Sequence, residues 1–233
     1  MTGIRPIRRL MNSITRNIIA LARDLPGNVS IVAVSKTRSP DEVLEAYNAG
    51  LHTFGENRVQ ELVSKKTVLP EGINWHLLGH LQSNKVKQAV AAASMIESVD
   101  SLRLLRMIDS EAARQQKIID CLLQVHIALE EAKSGFSIKE IEETDWTTIA
   151  GSLSSVRICG LMGIASFTDN TDRVRSEFRS LARLFYDTRL RCFNTGSWFK
   201  EISMGMSGDW RIAVEEGSTI IRVGTLIFGE RLK

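Results

Sequence analysis

Short apolar runs alternate with amphipathic helical patterns along almost the whole chain. Several runs are continuous in Val, Ile and Ala, which is typical of parallel strands buried on both faces. The predicted strands are 29–35, a short one near 52–54, 74–78, 94–98, 119–126, 156–163, 200–203 and 219–223. Helical patterns lie between them at 40–49, 57–66, 84–93, 101–116, 137–150, 170–190 and 209–216. This order predicts a parallel sheet covered by helices.

Eight strands with intervening helices fit a (β/α)8 barrel of the TIM type, with an extra N-terminal helix before the first strand. A doubly wound open sheet is the alternative. The length of 233 residues suits one such barrel, and no linker-like tract rich in Ser, Gly or Pro follows Pro70. We therefore expect residues 1–233 to form a single domain.

Composition and charge exclude several classes of partner. The net charge is only +3, and arginines between positions 173 and 183 interleave with Glu177, Phe178 and Leu181, as on a solvated helix face. No apolar run approaches the length that crosses a membrane, and the basic N-terminus lacks the compact apolar core of a signal peptide. We expect neither nucleic-acid nor membrane binding.

The cysteines and histidines do not form a metal-binding pattern. Cys121, Cys159 and Cys192 are odd in number and widely spaced, which favours a reducing cytoplasm over a disulfide framework. His76 and His80 lie on a strand-to-loop segment and lack the spacing of two ligands on one helix face. We expect no metal, with His76 packed in the third strand and His80 lining the barrel mouth.

Lys36 closes the first predicted strand and so places a primary amine where an aliphatic strand becomes polar. The carboxyl ends of parallel strands face the crevice in which such folds bind ligands. In a partly dry pocket the pKa of an ammonium falls, and the neutral amine can attack a carbonyl. The alternative is a strand-end lysine that extends into solvent.

Two glycine-rich turns follow the last two predicted strands. Ser203-Met-Gly-Met-Ser-Gly-Asp209 precedes a predicted helix, and Gly224-Thr225 leads into a predicted short helical turn. Backbone N–H groups and helix N-termini bind anions, and these two loops form the phosphate site of many barrels. Ser207 or Asp209 could instead only cap the helix, and Gly224 only turn the chain. The joint occurrence of both loops favours phosphate.

Arg222 ends the eighth predicted strand, beside the first strand once a barrel closes. Its guanidinium can then reach the same pocket as Lys36. An amine, a phosphate site and a facing arginine are together what pyridoxal 5'-phosphate (PLP) requires. A permanent cation beside the pyridine nitrogen disfavours ring protonation, so the cofactor would be a weak electron sink.

At these residues the chain resembles the pyridoxal phosphate homeostasis protein family, single-domain barrels similar to the N-terminal domain of alanine racemase. The resemblance covers nearly all 233 residues. Its motifs are Ala33-Val-Ser-Lys-Thr37, Phe54-Gly-Glu-Asn57, Trp75-His-Leu-Leu-Gly-His-Leu-Gln-Ser-Asn-Lys85, Lys133-Ser-Gly135, Gly160-Leu-Met-Gly163, Ser203-Met-Gly-Met-Ser207 and Gly217-Ser-Thr-Ile-Ile-Arg-Val-Gly-Thr-Leu-Ile-Phe-Gly229. Their order and spacing make the match specific.

The resemblance implies that Lys36 forms an aldimine with PLP, that Arg222 faces the pyridine nitrogen and that Asn57 lines the pocket near the ring. The implied phosphate ligands are Ser203, Ser207, Gly224 and Thr225. Family members hold the cofactor and buffer or deliver it, which makes PLP enzymes lacking their cofactor possible recipients. Two positions differ from the family pattern: Arg38, where many members carry a second lysine, and His126, where an asparagine is common.

An enzyme remains the alternative to a cofactor-binding protein. A barrel racemase needs a second base, which alanine racemase takes from a tyrosine of a separate C-terminal domain. This chain ends at Lys233, and Tyr47 and Tyr186 lie on predicted helices. A lyase that uses a Schiff-base lysine without cofactor is a third class. We expect a monomeric PLP-binding protein without efficient turnover, in which Lys133 is an ordinary charge or a second amine for transfer.

Overall fold

Eight parallel strands close into a barrel in a computed structural model that describes residues 12–128, 134–193 and 198–230. Each strand pairs with its neighbours in sequence, and the first strand pairs with the eighth. The strands are β1 Ser30–Val34, β2 Thr53–Glu56, β3 Asn74–Leu77, β4 Met95–Val99, β5 Ile119–Val125, β6 Val156–Gly163, β7 Glu201–Ser203 and β8 Ile220–Val223. The (β/α)8 prediction is confirmed, and the open sheet is excluded.

Helices surround the barrel in the order that the sequence predicts. They are α1 Ser13–Asp24, α2 Pro40–Asn48, α3 Val59–Lys66, α4 Val86–Ala92, α5 Leu102–Arg114, α6 Ile138–Glu143, α7 Trp146–Ser152, α8 Thr171–Cys192, α9 Trp210–Glu215 and α10 Thr225–Phe228. Helix α1 is the expected extra element before β1, and α10 is the short turn after β8. A 3-10 turn, Ser83–Lys85, leads into α4.

The predicted helix 137–150 is wrong in one respect, because two helices occupy this segment. Ser137 and Glu140 form a reciprocal cap at the start of α6. The Asp145 side chain then accepts a hydrogen bond from the Thr148 amide, at 3.1 Å, and starts α7. Two N-terminal caps so close together start two separate helices.

Strand β2 extends past its predicted end at residue 54 and includes Glu56. Gly55 makes this possible, because a Cβ at that position would lie 2.5 Å from Leu78 Cδ1 and 2.8 Å from Val32 Cγ1. The absent side chain lets β2 continue along the crowded inner wall of the barrel.

Apolar side chains fill the interior of the barrel, and the carboxyl ends of its strands remain open for a ligand site. Val32, Leu122, Cys159, Met162 and Ile220 form a buried cluster inside the barrel. A larger core lies between the strands and the helices. Ligand sites of this fold lie at the carboxyl ends of the strands. Among the described residues, no helix is long and apolar enough to cross a membrane.

Packing of the outer core predicts that substitution of two leucines by alanine lowers the free energy of unfolding by very different amounts. Leu105 on α5 is fully buried, whereas Leu190 on α8 is 72% exposed. Leu105→Ala should lower the free energy of unfolding by about 2–5 kcal/mol, because it leaves a cavity. Leu190→Ala should change it by less than about 0.5 kcal/mol. Urea denaturation measures both; equal losses would contradict the described packing.

Candidate functional site

A cavity of about 470 Å³ opens at the carboxyl ends of the strands. Its lining includes six of the seven sequence-predicted site residues: Lys36, Asn57, Ser207, Arg222, Gly224 and Thr225. A larger groove of about 770 Å³ lies between α4 and α5, but no strand end contributes to it. The chemistry anticipated from the sequence therefore converges on the barrel mouth.

Pairing of β1 with β8 brings the amine and the guanidinium to one cavity. Val32 is in register with Arg222, and Ala33 with Val223. Side chains along a strand alternate between its two faces. Val32 points into the barrel cluster, and Val34 and Lys36 continue the same row into the cavity. The side chain of Arg222, which is 5% exposed, joins them from β8.

The loops after β7 and β8 meet at one side of the cavity. The Gly224 amide donates a hydrogen bond to Ser207 Oγ at 3.3 Å. A Cβ on Gly224 would lie 3.0 Å from the Val34 carbonyl oxygen, so β8 approaches β1 closely here. Hydroxyls and amide groups from two loops thus lie together, as the donor set of a phosphate requires.

Asp209 shapes the first of these loops. Its carboxylate accepts a hydrogen bond from the Met206 amide and so closes the turn that carries Ser207. Burial raises the pKa of Asp209, while that hydrogen bond and the charge of Arg222 oppose the rise. A carboxyl group whose ionisation is disfavoured repels a nearby phosphate less than a free carboxylate does.

Arg38 attaches the β1 loop to α10. Its guanidinium donates to the Gly229 carbonyl, pairs with Glu42 at 3.1 Å and lies 5.6 Å from the centre of the Phe228 ring. Helix α10 is also held by α1, because Asn17 Nδ2 donates to the Ile227 carbonyl at 3.0 Å. Arg38 therefore tethers α10 to the loop that follows β1.

Ser203 is not among the residues that line the cavity, and its implied phosphate contact stays a prediction. Its buried hydroxyl accepts a hydrogen bond from Arg222 Nη1 at 2.6 Å and donates to Glu97 Oε2 at 2.5 Å. Arg222 Nη2 donates to the Gly163 carbonyl at 2.9 Å. Strand β7 turns Ser203 into the barrel, below the loop that carries Ser207. The geometry makes Ser203 a support for Arg222.

Sequence reasoning places Glu97 at a strand end but gives it no role in this network. It is fully buried, and its second oxygen lies 2.6 Å from His76 Nδ1. Burial raises the pKa of Glu97, but His76, Arg222 and Ser203 outweigh burial and leave that pKa below its ordinary value. The only signal in the sequence was one carboxylate inside the apolar run Met95-Ile-Glu-Ser-Val99. An ionised Glu97 gives the buried guanidinium its counter-charge.

The two histidines each pair with one carboxylate. His76 contacts Glu97 inside the barrel, whereas His80 contacts Asp100 at 3.0 Å and is mostly exposed. His80 follows the carboxyl end of β3 and lines a neighbouring groove that shares Asn57 with the main cavity. Within the described ranges, no group of three or more His, Cys, Asp and Glu side chains could hold a metal ion.

The remaining candidates lie away from the cavity. Tyr47 is on α2 and Tyr186 on α8, as predicted, and neither lines the cavity. The His126 amide donates to the Phe136 carbonyl at 2.8 Å, and its side chain is also absent from the lining. Lys133 lies outside the described residues.

Comparison with known proteins assigns the chain to a family. The family model described as "Alanine racemase, N-terminal domain" matches residues 11–232. A curated pyridoxal phosphate homeostasis protein from Aquifex aeolicus is 39% identical over 202 residues, or 86% of each chain. The chain belongs to the pyridoxal phosphate homeostasis protein family. The Homo sapiens member is 35% identical over 241 residues, which cover 97% of this chain and 85% of that protein.

A solved structure supports the same family at the level of the fold. PipY of Synechococcus elongatus, in a structure with PLP bound, superposes with a TM-score of 0.83 and 36% identity. The match covers 93% of this chain and all of that one. The curated relatives carry the name of a homeostasis protein rather than that of an enzyme.

The buried counter-charge predicts how Glu97→Gln changes stability with pH. At neutral pH the variant should lose about 3–5 kcal/mol of unfolding free energy, because Arg222 stays buried without its anion. The folded pKa of Glu97 lies below the ordinary 4.5, so its contribution is complete above that value and declines as the pH falls through the folded pKa. The difference between wild type and variant should therefore shrink in acid.

Urea denaturation at several pH values measures this difference, with the exposed Glu143→Gln as the matched control. The control should stay within about 0.5 kcal/mol of wild type. A Glu97→Gln variant as stable as wild type at neutral pH would rule out a charge-balancing role.

Proposed function

We propose that this protein binds PLP at the barrel mouth, holds it on Lys36 and takes part in intracellular PLP homeostasis by buffering or delivering it. The observation that carries the proposal is the joint lining of one cavity by an amine, a guanidinium and the two loops of a phosphate site. Its volume of about 470 Å³ suits a small cofactor. The relatives' shared name and the PLP-bound PipY structure support the same ligand.

The residues fit the chemistry of PLP at both ends. Ser207, Gly224 and Thr225 would hold the phosphate, and Arg222 would donate a hydrogen bond to the pyridine nitrogen. Asn57 would lie beside the ring. The amine of Lys36 would condense with the aldehyde, so that a carbon–nitrogen double bond forms and the aldehyde oxygen leaves as water. Such a linkage would be reversible, as storage and release require.

Storage accounts for this site better than catalysis does. The cofactor's usual contribution is to withdraw electrons through a protonated ring nitrogen. Arg222 is a hydrogen-bond donor that cannot hand over its proton, so it stabilises the unprotonated ring. Neither Tyr47 nor Tyr186 lines the cavity, so no tyrosine of the described residues can act there as the second base of a racemase.

We also propose a cellular compartment, recipients of the cofactor and an oligomeric state. The thiols of Cys121, Cys159 and Cys192 are free, which agrees with a reducing cytoplasm. PLP enzymes that lack their cofactor are the recipients that buffering or delivery implies. We propose a monomer that works without nucleic acid or membrane.

Borohydride reduction tests the covalent assignment. Incubation with PLP, reduction and peptide mapping by mass should locate one pyridoxyl group on Lys36. Lys36→Ala should abolish it, whereas Lys139→Ala, at an exposed lysine of α6, should not. Equal labelling of scattered lysines in all three proteins would refute the assignment. A protein that stays colourless with PLP would favour a cofactor-free lyase.

A further inference from the structure

A buried ion cluster lies behind the loop that presents Lys36. Lys65 on α3 is 4% exposed, and its amine donates to the Ser35 carbonyl at 2.7 Å. The same amine contacts Glu56 Oε1 at 2.7 Å and Glu61 Oε1 at 2.8 Å. Ser35 Oγ also donates to Glu56 at 2.7 Å. None of these four side chains lines the cavity, so the cluster lies on the outer face of the barrel wall.

The cluster contacts the backbone on both sides of Lys36. Before it, the Ser35 carbonyl is held by Lys65. After it, the Thr37 amide donates to Glu61 Oε1 at 2.6 Å. Thr37 has a φ of +66°, a conformation that strains a β-branched residue by about 1–3 kcal/mol. Helix α3 therefore fixes the direction in which the chain leaves β1.

Fold stability alone does not account for this cluster. Burying an ion pair costs desolvation energy, and apolar side chains of similar volume often stabilise a fold equally well. Burial raises the pKa of Glu56 despite its contact with Lys65, and Glu56 Oε2 has no hydrogen-bond partner within the described residues. Glu61 differs: hydrogen bonds from Lys65 and Thr37 outweigh burial and leave its pKa below the ordinary value. A charged side chain can hold a backbone amide or carbonyl group in a defined direction by a hydrogen bond, which an apolar side chain cannot do.

We infer that Glu61 and Lys65 are positioning residues for Lys36, which hold the peptide groups before and after it so that its amine enters the cavity in one orientation. This inference rests on the proposed function, because the orientation matters for attack on a bound aldehyde. Misplacing a reacting group by about 1 Å can slow a reaction about a hundredfold. Neither residue touches the cofactor site itself.

The test compares rates of labelling at Lys36. Rapid mixing with PLP, a timed borohydride quench and peptide mapping give the rate of bond formation. Glu61→Ala removes the acceptor of the Thr37 amide and should slow the rate between about tenfold and a hundredfold. Glu61→Gln restores an acceptor oxygen and should recover most of the rate, which a general loss of stability would not do.

A matched pair of lysines provides the control. Lys65→Met should slow labelling in the same way. Lys66→Met should not, because the Lys66 amine holds the Ala92 carbonyl, at 2.8 Å, away from the β1 loop. Urea denaturation of each variant confirms that it is folded. If Lys65→Met does not fold, the comparison of Glu61→Ala with Glu61→Gln carries the test.

The possible outcomes separate this inference from the proposed function. Slow labelling in Glu61→Ala and Lys65→Met, with rescue by Glu61→Gln and a normal Lys66→Met, supports the positioning role. Labelling of the folded variants at the wild-type rate overturns it and leaves the PLP assignment intact. Wild-type protein without any label on Lys36 overturns both.

Discussion

Hydrogen bonding between β1 and β8 is the constraint on which the site depends. These strands lie at opposite ends of the chain, and their register sets Val32 beside Arg222. If the same strand order formed an open sheet, the amine of Lys36 and the guanidinium of Arg222 would lie at opposite edges. Closure places them in one cavity, and it also brings the loop of Gly224 against Val34. Barrel topology, rather than any local motif, therefore creates a site that combines an amine, a guanidinium and two glycine-rich loops.

Closure of the barrel also buries charged groups in an apolar interior. The fold pairs them with opposite charges on both sides of the barrel wall. Inside, Glu97 provides the anion for Arg222 through Ser203, with His76 on its other oxygen. Outside, Lys65 lies between two carboxylates and contacts the β1 loop. Buried charges of this kind specify direction more than they stabilise. The network inside the barrel orients the guanidinium of Arg222, and the cluster outside it orients the backbone at Lys36.

The sequence predicted those features that depend on local pattern. Apolar runs located the strands, and the strand-end rule selected Lys36, Arg222 and the two glycine-rich loops. The charged networks were not predictable, because their partners are distant along the chain: Glu97 and Ser203 are 106 residues apart. The hydrogen bonds of Ser203 were hidden for the same reason, since its motif does not reveal that β7 turns the hydroxyl inward. Glu56 belongs to the motif Phe54-Gly-Glu-Asn57, but its pairing with Lys65 could not be predicted from that motif.

A crystal structure of the protein soaked with PLP tests the central claim most directly, namely that one cavity holds both ends of the cofactor. We expect continuous density from Lys36 Nζ, the phosphate within hydrogen-bond distance of Ser207, Gly224 and Thr225, and the pyridine nitrogen facing Arg222. PLP bound in the reverse orientation, or in the groove between α4 and α5, would contradict it.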